Sequence, residues 1–504
     1  MSDAAIGSIA IVGLGPGPAD LVTRRAWQLL KAADVVFLRT AHHPAVDNLP
    51  PEVQWRSFDH VYEAESDFSS VYRRITDEIV EQARAAQHVL YAVPGDPTVG
   101  EATTQAIIEA AGDAGIPVGV TQGVSFVEPT LAALQLDALN GLQLFDAITL
   151  AGYNHPPVNP DYPLLLGQVY SRLLANELKL ALMAVYPDEH TVALVHAAGT
   201  AQQYVERLAL YKIDRSEQIE HLTALYVPPR LSPSSLPALA EDVAMLRGPQ
   251  GCPWDQEQTP QSLRGDFLEE MSEVLEALDL EDPQRLQEEL GDLLFHIVMQ
   301  VQMAREEELF RLGDVISGIY TKIRRRHPHV WDDWQVEDSE DVVANWEAIK
   351  AREKGRSESH SILDNIPRTL AALSYSQKMQ KRVRRVGFDW PNVEGVVAKV
   401  QEEIDELAAA STVQEQEAEL GDVLFAVVNL ARWLGLDAES ALRRANLRFR
   451  ARFQLLESLA TTRGIDLQEA DLETMERLWQ EAKDRLNQER SSSQESLYNQ
   501  EKES

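Results

Sequence analysis

Two segments of the chain carry the same pattern of carboxylates. The first reads LEEMSEVLEAL and then EELGDLLFHIVMQ, and the second reads QEEIDELAAA and then AELGDVLFAVVNLAR. At about 100° per residue, the acids of each helix form a stripe beside an apolar face. Packing the two helices of a segment side by side therefore gathers its acids at one seam. The gathered acids are Glu270, Glu273, Glu289 and Asp292 in the first segment, and Glu403, Glu406, Glu419 and Asp422 in the second.

Four carboxylates at a half-buried seam repel one another unless a cation neutralises them. Oxygen ligands alone suit Mg²⁺ or Mn²⁺ better than zinc. A solvated acidic helix face is the alternative for any single copy of the pattern. The recurrence of the pattern with nearly the same offsets favours two metal sites.

The elements that position these acids differ from those of the first half of the chain. From residue 238 onward, apolar residues recur with the 3.6-residue period of helices, which predicts an all-α region. Residues 229–237 are rich in proline and serine and form a linker in this interpretation. We expect two helical repeats, 238–370 and 371–488, and a disordered tail at 489–504, where no core pattern is present.

The first half alternates buried strands with helices and predicts an α/β domain over residues 1–228. Its strands end in loops rich in glycine and proline, notably GLGPG at 13–17 and PGDP at 94–97. Ligands commonly bind at the carboxyl ends of the strands of an open sheet. In the later part we predict strands at 147–152 and 180–187, a long helix near 165–179, and a mixed sheet.

With its acidic pairs, the region from about 238 to 485 resembles the MazG nucleoside triphosphate pyrophosphohydrolases. Further matching segments are GCPWDQEQT (251–259), RRHPHVW (325–331), WEAIKAREK (346–354), VGFDW (386–390) and NLRFRARF (446–453). The resemblance implies Mg²⁺-dependent hydrolysis of a nucleoside triphosphate to the monophosphate and pyrophosphate. It also implies a homodimer through the helical region. Glu402 or Glu403 is the candidate to accept a proton from the attacking water.

The resemblance further implies residues that bind the nucleotide. Basic residues on one helical face precede VGFDW, whose aromatic residues could stack on a base or pack in a core. The candidates are Lys378, Lys381, Arg382, Phe388, Trp390, Asn446, Arg448 and Arg452. For the first repeat, Trp254, Asp255, Arg325 and Arg326 are possible equivalents. Because the basic helix and VGFDW precede the second repeat, we expect the stronger site there.

The first half resembles the tetrapyrrole methylases, which bind S-adenosylmethionine in a cleft between two α/β lobes. The resemblance covers about residues 7–228 and implies cofactor contacts at its loops. These are Gly13, Gly15, Pro16, Gly17, Pro94, Gly95, Asp96, Thr98, Val99, Gly123, Val124, Ser125, Met183 and Ala198. Methylases of this family commonly carry basic residues before the GGDP loop, whereas LYAVPGDP (90–97) has no cation. The methyl acceptor therefore stays open.

The joined halves resemble the YabN-type bifunctional proteins. Two other functions stay possible. Methyl transfer could be the main activity, with the helical half as a dimerisation scaffold. Alternatively, the acidic clusters could bind a nucleotide without hydrolysing it and act as a sensor.

Composition limits the partners and the location of the protein. The 504 residues carry a formal net charge of −34, so we expect no stable nucleic-acid partner. Cys252 is the single cysteine, which excludes an intrachain disulfide and fits a reducing, cytoplasmic location. No stretch reaches the roughly 18 apolar residues of a membrane span, so we expect no membrane partner.

Overall fold

The computed structural model describes residues 7–49, 52–65, 67–85, 87–339, 341–342, 345–346, 349, 361–364 and 366–503, with side chains as far as 488. Most of WEAIKAREK (346–354) lies outside these ranges. The chain divides into two compact units, Met1–Glu257 and Gln258–Ser504. In the described part, no helix combines the length and apolarity needed to cross a membrane.

The first unit contains two five-stranded sheets, and each has its own buried core. The first sheet has the order β3-β2-β4-β1-β5 and is parallel throughout. Its strands are β1 Ser8–Gly13, β2 Val35–Leu38, β3 Gln54–Ser57, β4 His88–Val93 and β5 Val118–Thr121. Helices cover it: α1 Arg24–Ala32, α2 Asp59–Ala64, α3 Phe68–Arg84 and α4 Ala102–Asp113.

The second sheet is mixed, as predicted, with β6 parallel to β7 and the remaining pairs antiparallel. Its order is β6-β7-β10-β8-β9. The strands are β6 Gln143–Asp146, β7 Leu164–Gly167, β8 Thr191–His196, β9 Tyr204–Ala209 and β10 Thr223–Val227. The associated helices are α5 Val127–Leu134, α6 Ala147–Ala151 and α7 Arg172–Met183.

Three predicted elements of this sheet were wrong. Residues 147–151 form a helix because the Asp146 carboxylate caps its first turn by accepting from the Ile148 amide. Residues 164–167 form a fully buried strand. The helix predicted at 165–179 begins only at Arg172, after the Ser171 cap, and extends to Met183. The strand predicted at 180–187 is therefore wrong, because residues 180–183 are helical and residues 184–187 form a turn. Short apolar runs do not distinguish a buried strand from a helix.

The first unit extends beyond the proline- and serine-rich segment. Helix α8 Leu236–Arg247 begins within the last two residues of that segment, and α9 Pro253–Glu257 comes after it. The Asp161 carboxylate accepts hydrogen bonds from the amides of Ser234 (2.7 Å) and Ser235 (3.1 Å). The segment is therefore attached to the second sheet's lobe just before α8 begins.

The second unit is helical in its described part, which confirms the predicted fold class. Its helices are α10 Arg264–Leu280, α11 Pro283–Glu306, α12 Leu312–Arg326, α13 Pro328–Trp331, α14 Ala372–Arg384, α15 Val393–Ala409, α16 Val413–Trp433, α17 Ala438–Thr462 and α18 Leu472–Glu503. Helix α18 continues through 489–503, where composition predicts disorder. Elongating an existing helix adds one hydrogen bond per residue and needs no new nucleus.

Candidate functional site

The acidic helices of the second repeat, α15 and α16, pack against each other and bring three carboxylates together. Oxygens of Glu403, Glu419 and Asp422 lie within 4.8 Å of one another. Glu403 is buried, with 7% of its surface exposed. We call these three residues the second-repeat cluster. Its donor set contains oxygen alone, which matches the preference of Mg²⁺.

Glu406 lies beside the second-repeat cluster. Burial raises the pKa of its carboxyl, and the neighbouring charges of Glu403 and Glu419 raise the pKa further. Repulsion among these groups is therefore part of the folded structure. A bound cation would relieve it.

One lysine joins the cluster to the other predicted catalytic residue. Lys399 Nζ lies 2.8 Å from Glu402 Oε1 and 2.8 Å from Glu403 Oε1. These two hydrogen bonds raise the pKa of Lys399. Glu402 is half exposed and lies outside the cluster, whereas Glu403 belongs to it.

A cavity of about 300 Å³ opens beside the cluster. Glu403, Asp422 and Lys399 line one part of it, and Phe388 and Trp390 contribute aromatic surface. The remaining lining residues are mostly apolar or amide side chains: Leu363, Met379, Gln380, Val383, Val396, Phe425, Ala426 and Asn429. The structure thus places predicted metal ligands and predicted base-stacking residues around one space, which we call the aromatic cavity.

A buried ion pair forms part of the wall of the aromatic cavity. Arg432 Nη2 donates to Asp389 Oδ1 at 2.6 Å, and Arg432 Nε donates to Asn429 Oδ1 at 2.8 Å. Trp433 Nε1 also donates to Asp389 Oδ1, at 3.0 Å. The side chain of Arg432 is only 5% exposed, so its charge depends on Asp389 for compensation.

The predicted basic helix is arranged differently. Arg382 donates to the carbonyls of Ile362 and Asp364 and so holds a neighbouring loop. Lys378 and Lys381 are exposed on α14, and neither is among the described residues that line the aromatic cavity. Residues on this helix that do face the cavity are Met379, Gln380 and Val383.

The predicted residues of α17 also lie away from the aromatic cavity. Arg448 is exposed, and the Arg452 guanidinium lies 6.0 Å from the ring of Trp479. Asn446 lines a separate cavity of about 330 Å³ between α17 and α10 of the first repeat. There it shares the wall with Glu273 and Arg450.

The first repeat forms its own cluster from Glu270, Glu273 and Glu289, whose oxygens also lie within 4.8 Å of one another. Burial raises the pKa of Glu270, and the charges of Asp292 and Glu273 act in the same direction. His296 Nε2 lies 4.0 Å from Glu270 Oε1, where the second repeat has Ala426.

The possible equivalents in the first repeat are dispersed. Arg325 and Arg326 end α12, whereas Trp254 and Asp255 belong to α9 in the other compact unit. The acids of the first repeat come together on α10 and α11, and these four residues belong to other helices.

The glycine loops of the first unit converge tightly. A Cβ atom on Gly13 would lie 2.3 Å from the carbonyl oxygen of Gly95 and 2.9 Å from Cα of Gly123. The amides of Gly15 and Gly95 each donate to the other's carbonyl, at 3.2 and 2.7 Å. Asp96 Oδ2 accepts from the Gly123 amide at 2.7 Å. Three loops distant in sequence thus form one cradle.

Most other predicted cofactor residues belong to this cradle. Asp96 Oδ1 accepts from the amide and hydroxyl of Thr98, and Ser125 donates to Glu128. A cavity of about 370 Å³ is lined by Pro16, Pro94, Gly95 and Val99. The remaining predicted residues are located as follows: Gly17 beside Thr200, Val124 between Gly123 and Ser125, Ala198 in a smaller cavity with Pro16, and Met183 against the core of the second sheet.

The same cavity contains a cation that the sequence did not reveal. Arg39, directly after β2, lines it and pairs with the buried Glu101. Burial opposes the charge of Arg39, but Glu101 and Tyr62 outweigh this effect and raise its pKa. Arg39 therefore places a positive charge in this cavity, although no cation directly precedes the PGDP loop in the sequence. Only the spatial adjacency of β2 and β4 shows this.

Comparison with known proteins agrees with the division of the chain into an α/β half and a helical half. Residues 8–214 match the family Tetrapyrrole (Corrin/Porphyrin) Methylases, and residues 258–331 match the MazG nucleotide pyrophosphohydrolase domain. The uncharacterized protein YabN of Bacillus subtilis (strain 168) is 41% identical over 487 residues, covering 95% of this chain and 99% of YabN. The chain belongs to the YabN family.

The helical half of this YabN-family chain has relatives of its own. A nucleoside triphosphate pyrophosphohydrolase of Escherichia coli (strain K12) is 50% identical over 244 residues, covering 47% of this chain and 93% of that protein. The nucleoside triphosphate pyrophosphohydrolase/pyrophosphatase MazG of Thermotoga maritima is 42% identical over 238 residues, covering 47% and 91%. Both aligned lengths correspond to about the helical half.

Removing the Asp389 charge should destabilise the helical unit of this YabN-family protein. We expect Asp389→Asn to lower the free energy of unfolding by about 3 kcal/mol, because it leaves the buried Arg432 uncompensated. Urea unfolding at pH 7 measures this change. Asp484→Asn, an exposed substitution, should change the free energy by less than about 0.5 kcal/mol.

The same pair gives a pH dependence. Burial of Asp389 would raise its pKa, but hydrogen bonds from Arg432 and Trp433 outweigh burial and lower the pKa. Its contribution to stability is therefore present above the ordinary aspartate pKa and is lost as the pH falls through the lowered value. The difference between wild type and Asp389→Asn should shrink in that acidic range. An unchanged difference there would contradict this assignment.

Proposed function

We propose that the helical half hydrolyses nucleoside triphosphates to monophosphates and pyrophosphate, with Mg²⁺ held by the second repeat. The observation that carries the proposal is the opening of the second-repeat cluster onto the aromatic cavity. A flat base and a charged phosphate chain need these two environments side by side. The activity named for the Escherichia coli and Thermotoga maritima relatives supports the same reaction.

The residues present fit a divalent cation. Glu403, Glu419 and Asp422 supply oxygen ligands alone, and the raised pKa of Glu406 reflects charge that a cation would offset. When bound, Mg²⁺ polarises phosphate oxygens and lowers the pKa of a coordinated water. Manganese satisfies the same donor set.

The chain's own residues then have distinct roles. Glu402 lies outside the cluster and accepts the proton of the water that attacks the α-phosphorus. Lys399 holds Glu402 beside Glu403 and adds a positive charge next to the phosphates. Phe388 and Trp390 stack on the base. Lys378 and Lys381 are exposed on the outer side of α14 and bind phosphate oxygens there.

Two glutamate substitutions should separate metal binding from proton transfer. Glu403→Gln should lower kcat by about 100-fold or more and weaken Mn²⁺ binding, because it removes a ligand. Glu402→Gln should lower kcat by about 100-fold and leave Mn²⁺ binding nearly unchanged. Pyrophosphate release measures turnover, and electron paramagnetic resonance of Mn²⁺ measures binding.

Asp405→Asn is a matched control, because Asp405 is exposed on the same helix and accepts a hydrogen bond from Gln401. It should retain both properties. Wild-type protein that releases no pyrophosphate from any common ribo- or deoxyribonucleoside triphosphate at millimolar Mg²⁺ would overturn the proposed activity.

We also propose that the first unit binds S-adenosylmethionine at the cradle formed by the loops at 13–17, 94–99 and 123–125. Their convergence leaves a cavity lined by backbone and small side chains, which suits close approach of a ligand. The match to the methylase family supports this ligand. The proposed reaction is methyl transfer, and its acceptor is not assigned.

Gly13 provides a test of the cradle. Gly13→Ala should weaken the binding of S-adenosylhomocysteine by at least about tenfold, because the added Cβ forces the loops apart at a cost of about 1–3 kcal/mol. Gly112→Ala, on α4 with open space around it, should leave binding unchanged. Isothermal titration calorimetry measures both. Equal affinities in the two variants would exclude the cradle as the binding site.

We further propose a homodimer through the helical half. Apolar residues of α12 are exposed in the single chain, including Val315, Ile316, Ile319 and Ile323. Burying them in an interface would remove this apolar surface from water. Sedimentation equilibrium should give twice the chain mass, and Ile319→Glu should reduce it to the chain mass. A wild-type monomer at micromolar concentration would contradict the proposal.

A further inference from the structure

Gln380 is a buried amide in the wall of the aromatic cavity. It belongs to α14, and only 5% of its surface is exposed. Its Nε2 donates to the backbone carbonyl of Phe425 at 2.8 Å. This bond fixes the orientation of the amide, because the reversed orientation would place two oxygens together.

The other end of this amide has no partner. Gln380 Oε1 is buried and accepts no hydrogen bond from the described residues. Leaving a buried acceptor unpaired is energetically costly, because the acceptor loses its hydrogen bonds to water and gains none in the protein. A donor brought by a ligand in the adjoining cavity would satisfy it.

A second glutamine on the same helix shows the contrast. Gln377 lies one turn earlier and is 3% exposed. Its Nε2 donates to the Leu436 carbonyl at 2.7 Å, and its Oε1 accepts from the Ala438 amide at 3.1 Å. Both ends of Gln377 are therefore satisfied by the protein, whereas Gln380 is satisfied at one end.

Asn429 adds a complementary group to the cavity wall. It is 5% exposed, and its Oδ1 accepts from Arg432. Its Nδ2 makes no hydrogen bond within the described part of the structure and is available as a donor. The wall of the cavity therefore contains an amide with an unpaired oxygen, on Gln380, and an amide with an unpaired N–H group, on Asn429, together with the aromatic residues Phe388 and Trp390.

We propose that Gln380 Oε1 accepts an N–H of the nucleobase and that this bond favours bases that present an N–H over bases that do not. The inference rests on the proposed function and adds a specificity-determining residue to it. Adenine and cytosine present such a donor on an exocyclic amine, and guanine and uracil present one on a ring nitrogen. Each also has an acceptor nearby that Asn429 can meet. Bases without an N–H on this edge leave Gln380 unpaired and bind weakly.

This selectivity belongs to the second repeat. Counted by the same offset from the ELGD segments, Met299 corresponds to Asn429, and Gln302 corresponds to Arg432. The first repeat therefore lacks the amide and the charged group that support it. Base discrimination should be lost when the second-repeat site is altered, even if the first-repeat cluster binds a nucleotide.

Paired ligands test the proposal on the wild-type full chain. Binding is measured by calorimetry with Ca²⁺ in place of Mg²⁺, so that the readout does not require turnover. ATP is compared with purine riboside triphosphate, which lacks the amine, and UTP is compared with N3-methyluridine triphosphate. We first identify which of ATP and UTP binds more tightly. For that nucleotide, we expect the analogue without the N–H to bind about tenfold or more weakly.

Matched variants connect this difference to Gln380. Gln380→Met removes the acceptor at similar volume, and the preference in that pair should fall to within about twofold. Gln377→Met should keep the preference and lower the melting temperature instead, because two backbone partners lose their bonds. Circular dichroism confirms that each variant is folded before binding is measured.

The outcomes are distinct. If the wild-type protein binds both members of each pair equally, the proposal is overturned. Water alone would then satisfy Gln380 Oε1. A preference that survives in folded Gln380→Met would overturn it as well. Should Gln380→Met fail to fold, the wild-type ligand pairs still decide. Absence of pyrophosphate release would count against the proposed hydrolysis but not against discrimination in binding.

Discussion

Repulsion among carboxylates is the constraint on which the helical half depends. Helices α15 and α16 pack against each other and hold Glu403, Glu419 and Asp422 together, although the charges of these residues oppose the packing. Such an arrangement is retained when a function requires it, because replacing buried charges with apolar groups commonly stabilises a protein. The aromatic cavity lies next to this cluster. The repulsion among these carboxylates therefore lies next to the cavity that we propose binds the base.

Sequence periodicity predicted the fold classes and the carboxylate clusters because both depend on local spacing. Glu403 and Glu419 lie on consecutive helices, α15 and α16, and the helical period places them on the sides that face each other. Predictions were weaker where short apolar runs occur, as at Leu164–Gly167, since burial of a strand on both faces removes its alternation. Charge alone did not reveal that Arg382 donates to backbone carbonyls of a neighbouring loop.

Groups from separated elements escaped prediction. Arg39 reaches the methylase-like cavity from β2, and its pairing with Glu101 joins residues far apart in the chain. Asp389, Asn429 and Arg432 likewise form their network across a helix and a loop. Lys399 is different: its spacing of three and four residues from Glu402 and Glu403 was visible in the sequence. That spacing was a sufficient signal for an ion pair.

The duplication of the helical motif within one chain has an evolutionary consequence. In a symmetric dimer of identical single-motif chains, every substitution appears at both sites at once. Here the two copies occupy separate positions in one chain, so each can change without altering the other. The first copy has His296 where the second has Ala426, and Met299 where the second has Asn429. Two copies in one chain can therefore acquire different properties. A substitution that weakens one copy leaves the residues of the other copy unchanged.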